Sequence, residues 1–291
     1  MAKILVTGGT GLVGRRLTAL LTEKNHEVRI LSRNPKNENE FKWDFSKGFV
    51  DDKAIENIDY IIHLAGAGIA DKRWTKERKE VIVNSRVATA NLIFDKIKAQ
   101  NISLKGFISA SGSNYYGAQT TAKVFKESDA VGTDFLGQVC LKWEAAANQF
   151  KDLNIPVTIL RTGVVLSKTG GALEKMRTPI VSPLGSGNQY MAWIHIDDLC
   201  NLYIKAVEES FEGVYNTVSP EFHTSRTFSK ILAKAIKRPY FPIAVPGFLL
   251  KLVFGELAII LLHGSRLSSD KIAKKGFIFK YKELAFALKN L

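Results

Sequence analysis

Cysteine is scarce in this chain, with two residues in 291, Cys140 and Cys200. That excludes a disulfide framework and points to a reducing compartment, read here as the cytoplasm. No signal peptide is expected, because Met1-Ala2-Lys3 leads directly into a strand-like run. Long uncharged apolar runs are also missing. The best candidate, Ile243–His263, is interrupted by Pro246, Gly247, Lys251, Gly255 and Glu256, whereas a spanning helix needs about 20 apolar residues. It reads as a buried or amphipathic helix, so no membrane span is expected. The five histidines are scattered, and with two lone cysteines they give no ligand spacing, so no metal site is expected. Acidic residues are in deficit, 28 against 41 lysines and arginines, for a net charge of +13. Nucleic acid is not the expected partner, since neither a recognition motif nor an aromatic-rich basic strand accompanies the charge. A solvated basic surface that attracts a phosphorylated cofactor or anionic substrate fits better.

What is present starts at the N-terminus. Residues Ile4–Thr7 form a short β-rich run that feeds Gly8-Gly9-Thr10-Gly11-Leu12-Val13-Gly14. Leu12, Val13, Leu17, Leu20 and Leu21 then repeat at helical spacing. Gly8, Gly11 and Gly14 stand three apart, as G-x-x-G-x-x-G. Glycines between a strand and a helix allow a tight turn, close approach of backbone to a pyrophosphate, and close helix–strand packing. The helix N-terminus adds free N–H groups for the anion. Thr7 through Gly14 are therefore expected to bind a dinucleotide.

Strand-like runs at Lys3–Thr7, Glu27–Leu31, Tyr60–Leu64, Gly106–Ala110 and Val157–Arg161 alternate with helical patterns at Gly11–Glu23, Lys76–Ala99 and Phe135–Lys151. A short strand is expected near Phe41–Trp43. The alternation predicts an α/β fold, a Rossmann-type doubly wound parallel sheet with ligand at the strands' carboxyl ends. After about residue 165 the pattern changes. Further helices are expected at Ile196–Glu209, Ser225–Lys237, Phe248–Leu262, Ser269–Lys275 and Lys282–Leu288. The expected division is a Rossmann domain over 1–165, to which later segments return, and a smaller, mostly helical C-terminal lobe over 166–291. No internal repeat is visible.

The second strand ends Leu31-Ser32-Arg33. An acidic residue there would bond the ribose 2′-hydroxyl and favour NAD. Its absence, with Ser32 and Arg33 placed to meet a 2′-phosphate, favours NADP(H). The run after the fourth strand, Leu64-Ala65-Gly66, is small enough to lie against the cofactor. His63 before it reads as a packed core histidine.

These features resemble the extended short-chain dehydrogenase/reductase superfamily. An ordered series narrows the match: Arg73-Trp74-Thr75, Ser85-Arg86, Ser109-Ala110-Ser111, Tyr115-Tyr116-Gly117, Trp143-Glu144, Arg161 through Leu166 and Trp193 through Asp198. Pro246, Gly255-Glu256 and Gly276-Phe277 continue it. The chain resembles atypical epimerase-family proteins with a C-terminal domain of unknown function. That resemblance implies a Rossmann domain and NADP binding, with Arg161 and Gly163 joining the cofactor set. It supplies no substrate.

Members of the wider superfamily carry Ser, Tyr-x-x-x-Lys and a helix Asn, with the tyrosine as acid/base. On the helix leading to Glu144, Leu136 falls at the tyrosine position and Cys140 at the lysine position. Arg86 stands for the Asn, and Ser111 fits the serine. Lys142 lies roughly 200° around the helix from Cys140 and cannot substitute. The candidate catalytic residues are Ser111, Tyr116, Cys140 and Arg86. Each has a structural alternative: a packing aromatic for Tyr116, a small buried hydrophobe for Cys140, an ion pair for Arg86. His195 with Asp197 reads as a base and its orienter, or as a helix start capped by Asp197 or Asp198. The expected function is that of an NADP(H)-binding oxidoreductase acting on a small polar molecule, with a sugar nucleotide suggested by fold analogy. The alternative is a non-enzymatic NADP(H)-binding sensor. A homo-oligomer is left open.

Overall fold

The first strand shows how the sheet is built. Ile4 and Val6 face one side and Leu5 the other, and all three are buried. A strand buried on both faces belongs to the interior of a parallel sheet. The computed structural model describes all of residues 1–291. In chain order it has β1 (Lys3–Thr7), α1 (Leu12–Glu23), β2 (Glu27–Ser32), β3 (Glu40–Asp44), β4 (Phe49–Val50), β5 (Tyr60–His63), α2 (Lys76–Ala99), β6 (Gly106–Gly112), β7 (Val124–Phe125) and α3 (Phe135–Asn148). Next come β8 (Val157–Thr162), β9 (Val164–Leu166), α4 (Ala172–Met176), β10 (Trp193–His195), α5 (Ile196–Glu209), β11 (Gly213–Thr217) and α6 (Ser225–Ala235). The chain ends with α7 (Gly247–Phe254), α8 (Ile259–Leu262), β12 (Arg266–Leu267), α9 (Asp270–Lys274) and α10 (Leu284–Lys289).

Eight strands form one sheet in the order β11-β8-β6-β5-β1-β2-β3-β4, parallel throughout except at the β3–β4 edge. The order reverses at β1, between β2 and β5, which opens a crevice at the strands' carboxyl ends. On one face α1 and α5 pack over Ile4, Val6, Ile62 and Ile108. On the other, α2 and α3 pack over Leu5, Ile61 and Phe107. This is the expected Rossmann-type doubly wound sheet.

Residues 196–217 belong to the sheet layer: α5 lies against α1, and β11 pairs with β8 along Gly213–Thr217. Short parallel pairs, β9 with β10 and β7 with β12, tie the C-terminal region to the sheet. That region has its own apolar cluster, including Leu166, Leu173, Trp193, Phe228, Leu232 and Leu284. The single helix expected over Phe248–Leu262 is two, α7 and α8, separated by a 3-10 turn that starts at Gly255. Gly255 ends α7 with φ +61° and ψ −139°, a backbone conformation open to glycine. No helix is long and apolar enough to cross a membrane.

Candidate functional site

The glycine loop joins β1 to α1 at the sheet's switch point. Gly8 has φ +69°, and a Cβ there would lie 2.9 Å from the Leu64 backbone. A Cβ on Gly14 would lie 2.2 Å from the Gly8 carbonyl oxygen and 2.6 Å from Gly9 Cα. Only glycine lets α1 start this close to the turn. Gly9 sits against Ile30 of β2 in the same way. Gly11 is the N-cap residue; no side chain caps α1, and its first turn holds no acid. The first-turn N–H groups that a helix leaves unpaired are thus available to an anion. Leu12 is overhung by Gly170 and Gly171, which brings the segment after β9 beside the loop.

Thr7 braces the turn. Its buried Oγ1 accepts the N–H groups of Leu64 (3.2 Å) and Ala65 (3.1 Å) and lies 2.9 Å from His63 Nδ1. His63 Nε2 faces the Arg86 carbonyl at 3.3 Å. Burial, outweighing the bond to the Arg86 carbonyl and joined by the Arg86 charge, pushes the His63 pKa down to about 4, so the ring is neutral. It is a packed core histidine that locks the ends of β1 and β5 together.

At the end of β2, Ser32 is buried and Arg33 is exposed, and the Arg33 guanidinium makes no hydrogen bond or ion pair in the chain. Lys42 of β3 lies opposite Ser32 in the ladder, and its ammonium donates to the Arg33 carbonyl. Lys42 was not among the sequence candidates. It sits on a short strand whose register shows only once β3 is paired. Two cations and a hydroxyl, with no carboxylate among them, make a donor set suited to a phosphate monoester.

Arg161 and Glu144 form a buried bidentate ion pair, Nε to Oε1 and Nη2 to Oε2, each 2.8 Å. Burial alone would lower the Arg161 pKa; the Glu144 carboxylate outweighs it and keeps the guanidinium charged. Arg161 Nη1 also donates to Tyr116 Oη at 3.0 Å and to the Glu127 carbonyl at 3.2 Å. The Tyr115 ring lies beneath its Cζ, 3.2 Å away. Four of its five N–H donors are thus taken by the protein. Gly163, one strand-end further on, is pressed against the Ala192 backbone, where a Cβ would meet the carbonyl oxygen at 2.6 Å.

The four catalytic candidates fall into two groups. Ser111 donates to Glu144 Oε1 at 2.8 Å, and the fully buried Tyr116 donates to Asn216 Oδ1 at 2.7 Å. Burial raises the Tyr116 pKa to about 12, beyond what its bonds to Arg161 and Asn216 offset. Both hydroxyls are tied into the Arg161–Glu144 network. Cys140 faces the Gly112 carbonyl at 3.7 Å, and burial, with the Glu144 charge, raises its pKa to about 11. A thiol so placed stays protonated at neutral pH.

Arg86 is different. It is buried, donates to the Ile82 (2.8 Å) and Ala67 (3.0 Å) carbonyls, and lies over the Trp143 ring at 4.9 Å. It has no carboxylate partner within 4 Å, so the ion pair considered for it does not form. Burial, then the like charge of Arg78, lowers its pKa to about 10, which still leaves it charged at neutral pH. A cavity for its planar head is kept open by Gly66, whose added Cβ would lie 3.0 Å from Arg86 Cζ.

His195 does not pair with Asp197 as base and orienter. Its Nδ1 accepts the Asp197 N–H at 3.1 Å, so His195 itself caps α5. Asp197 instead binds Arg16 of α1 at 2.6 Å, and Asp198 accepts the N–H groups of Lys280 and Tyr281. Neither aspartate is the cap, because long-range partners claim both. Burial pushes the His195 pKa down to about 4. The unfolded chain protonates this ring from about pH 6.5 downward, and the folded chain resists until about 4. Stability therefore falls as pH drops through that window, by about 2 kcal/mol from His195 at pH 5. We expect His195→Asn, which keeps a capping acceptor, to remove that share of the loss in urea melts at pH 7.5 and 5; an unchanged difference would contradict the assignment. The chain contains no cluster of three or more His, Cys, Asp or Glu able to hold a metal.

Comparison with known proteins agrees with this geometry. The model of the NAD dependent epimerase/dehydratase family matches residues 4–218, and a domain of unknown function, DUF1731, matches residues 245–291. An epimerase family protein of Staphylococcus aureus is 33% identical over all of this chain and 99% of its own length. One from Mycobacterium bovis is 34% identical over 99% of this chain and 96% of its own. The crystal structure of human epimerase family protein SDR39U1 (isoform 2) with NADPH superposes with a TM-score of 0.89 at 32% identity, covering 99% of this chain and 98% of that one. A nucleoside-diphosphate sugar epimerase from Corynebacterium glutamicum gives 0.79 at 29% identity, over 99% of this chain and 57% of that chain. With its glycine loop at the switch point and its helical tail, the chain belongs to the NAD dependent epimerase/dehydratase family, as an atypical short-chain dehydrogenase/reductase with a DUF1731 C-terminal domain.

Proposed function

We propose that this protein is an NADP(H)-dependent oxidoreductase of the epimerase family acting on a small polar substrate. The observation that carries the reading is the unpartnered Arg33 beside Lys42 at the end of β2, with no acid to receive a ribose 2′-hydroxyl. The residues fit the cofactor: Gly8 to Gly14 and the α1 N-terminus for the pyrophosphate, and Ser32, Arg33 and Lys42 for the 2′-phosphate. Leu64, Ala65 and Gly66 would lie along it. When bound, the cofactor supplies hydride transfer. The chain's contribution at the reacting end would be the charge of Arg86, which can hold an oxygen that becomes anionic. Arginine does not exchange protons at neutral pH, so proton transfer would fall to substrate or solvent. The human relative's NADPH and the Corynebacterium relative's description as a sugar-nucleotide epimerase support the cofactor and the substrate class by similarity.

One observation favours a second reading, an NADP(H)-binding sensor without chemistry. Leu136 and Cys140, at the positions expected for the family's usual acid/base pair, and the separate candidate Tyr116 offer no group that titrates near neutrality. Transfer of deuterium from 4-deuterated NADPH to any product in a carbonyl panel would exclude the sensor; no transfer would exclude the oxidoreductase.

Cofactor choice is tested by fluorescence titration with NADPH and NADH. Wild type should prefer NADPH, and Arg33→Ala should weaken NADPH binding by about tenfold to a hundredfold while leaving NADH unchanged. Lys42→Ala should give a smaller loss of the same kind. Equal affinity of wild type for the two nucleotides would overturn the assignment.

A further inference from the structure

Helix α7 is apolar nearly all round, Gly247-Phe248-Leu249-Leu250-Lys251-Leu252-Val253-Phe254, yet only Leu250 is buried. Phe248 is 70% exposed, Leu252 72% and Val253 60%. The strand-like segment just before it adds Ile243 at 66%. A soluble surface does not ordinarily expose so many large apolar side chains on one helix and its approach. They also project outward, each more than half exposed. Such a shape suits insertion into a soft interface rather than a fit to a preformed protein pocket.

The helix is nevertheless held firmly. Arg73 Nη2 donates to the Leu252 carbonyl at 3.3 Å, Lys79 pairs with Glu256, and the chain before α7 is bridged to residues 181–184 at Tyr240 and Val245. Arg73 and Lys79 are cations in contact with this face, as is Arg226, which donates to the Pro242 carbonyl beside Ile243, and along the chain the charge on the N-terminal side of α7 is one-sided. Between Glu221 and Glu256 there is no acidic residue, while Arg226, Lys230, Lys234, Lys237, Arg238 and Lys251 all occur. The bridged segment is similar: from Lys175 to Ile196 it contains Lys175 and Arg177 and no acid.

We propose that this face docks the protein peripherally on an anionic lipid bilayer. Phe248, Leu252, Val253 and Ile243 enter the headgroup–acyl boundary, and Lys237, Arg238 and Lys251 meet lipid phosphates. A helix of eight residues cannot span the bilayer, so the attachment is to one leaflet. A second copy of the chain is disfavoured as the occupant, because it would bring Arg226, Lys237, Arg238 and Lys251 towards their own copies.

The test is co-sedimentation of the full chain with vesicles of phosphatidylcholine alone and with about one-third phosphatidylglycerol. The expected result is binding to the anionic vesicles only, weakened by raised salt. The charge-neutral double variant Phe248→Ser/Leu252→Ser should lose at least about tenfold in vesicle partitioning. Its melting temperature and NADPH titration should stay at wild-type values, since both side chains are exposed. Lys237→Gln/Arg238→Gln should lower binding and flatten its salt dependence. The proposal is overturned if wild type ignores anionic vesicles, or if the double serine variant binds them as well as wild type does. It is equally overturned if light scattering shows a dimer that this variant dissociates, which would make the face an interface between copies.

Discussion

Glu144→Ala should destabilise the protein by about 3–5 kcal/mol, the range found when one partner of a buried ion pair is removed. The Arg161 guanidinium is buried and receives both carboxylate oxygens at 2.8 Å, so the substitution strands a full charge away from water. Ser111 loses its acceptor in the same step. The remaining contacts of Arg161, to Tyr116 Oη and the Glu127 carbonyl, are neutral and cannot replace a carboxylate. Replacing both partners by apolar residues of similar size, Glu144→Leu with Arg161→Met, should recover most of the loss, because neither charge then needs solvation. Urea denaturation of the three proteins reads this directly, and a loss below about 1 kcal/mol for Glu144→Ala would show the pair to be solvated. The same double variant separates two roles for Arg161. If the residue serves the core, NADPH titration is unchanged; if it serves the cofactor, affinity falls along with the charge.

Much of the fold could be read from the sequence because it is encoded locally. Ile4–Thr7 with the three spaced glycines carries its own geometry, and α2 begins and ends at Lys76 and Ala99, the bounds expected from the sequence. β11 was not legible. Gly213-Val214-Tyr215-Asn216-Thr217 is short and mixed in polarity, and it is a strand because β8 offers a free edge. The two- and three-residue strands β7, β9, β10 and β12 exist only through partners far along the chain. The site divides in the same way. The glycine loop and Arg33 were visible as local signals. The tie between Ser111, Glu144, Arg161 and Tyr116 was not, since it joins three stretches of chain that meet only after folding. Capping of α5 by His195 was hidden for a related reason: Asp197 and Asp198 look like caps in sequence, but Arg16 and the backbone at Lys280–Tyr281 draw them away.

The glycine loop offers the sharpest test of the nucleotide site. Gly14→Ala should abolish measurable NADPH binding, a loss of at least about a hundredfold from a displacement near 1 Å. The added methyl would meet the Gly8 carbonyl oxygen at 2.2 Å and Gly9 Cα at 2.6 Å, and both are backbone atoms that no rotamer change can clear. Either α1 withdraws from the turn or the turn is pushed outward. The N–H groups that would face a pyrophosphate leave their positions in both cases. The helix itself does not suffer, because alanine is the better helix former by about 1 kcal/mol. Overpacking at the helix–turn contact should cost about 1–3 kcal/mol of stability, so the protein should still fold. Gly11→Ala grades the effect, since its Cβ would meet only the Gly8 oxygen, at 3.2 Å, and a small shift relieves it. Gly48→Ala serves as the control: that glycine has φ +63° with open space around it, so the cost is conformational and far from the crevice. The expected order of NADPH affinity is wild type and Gly48→Ala together, then Gly11→Ala, then Gly14→Ala. Binding by Gly14→Ala at wild-type strength would mean that the turn holds the fold together without cradling a nucleotide.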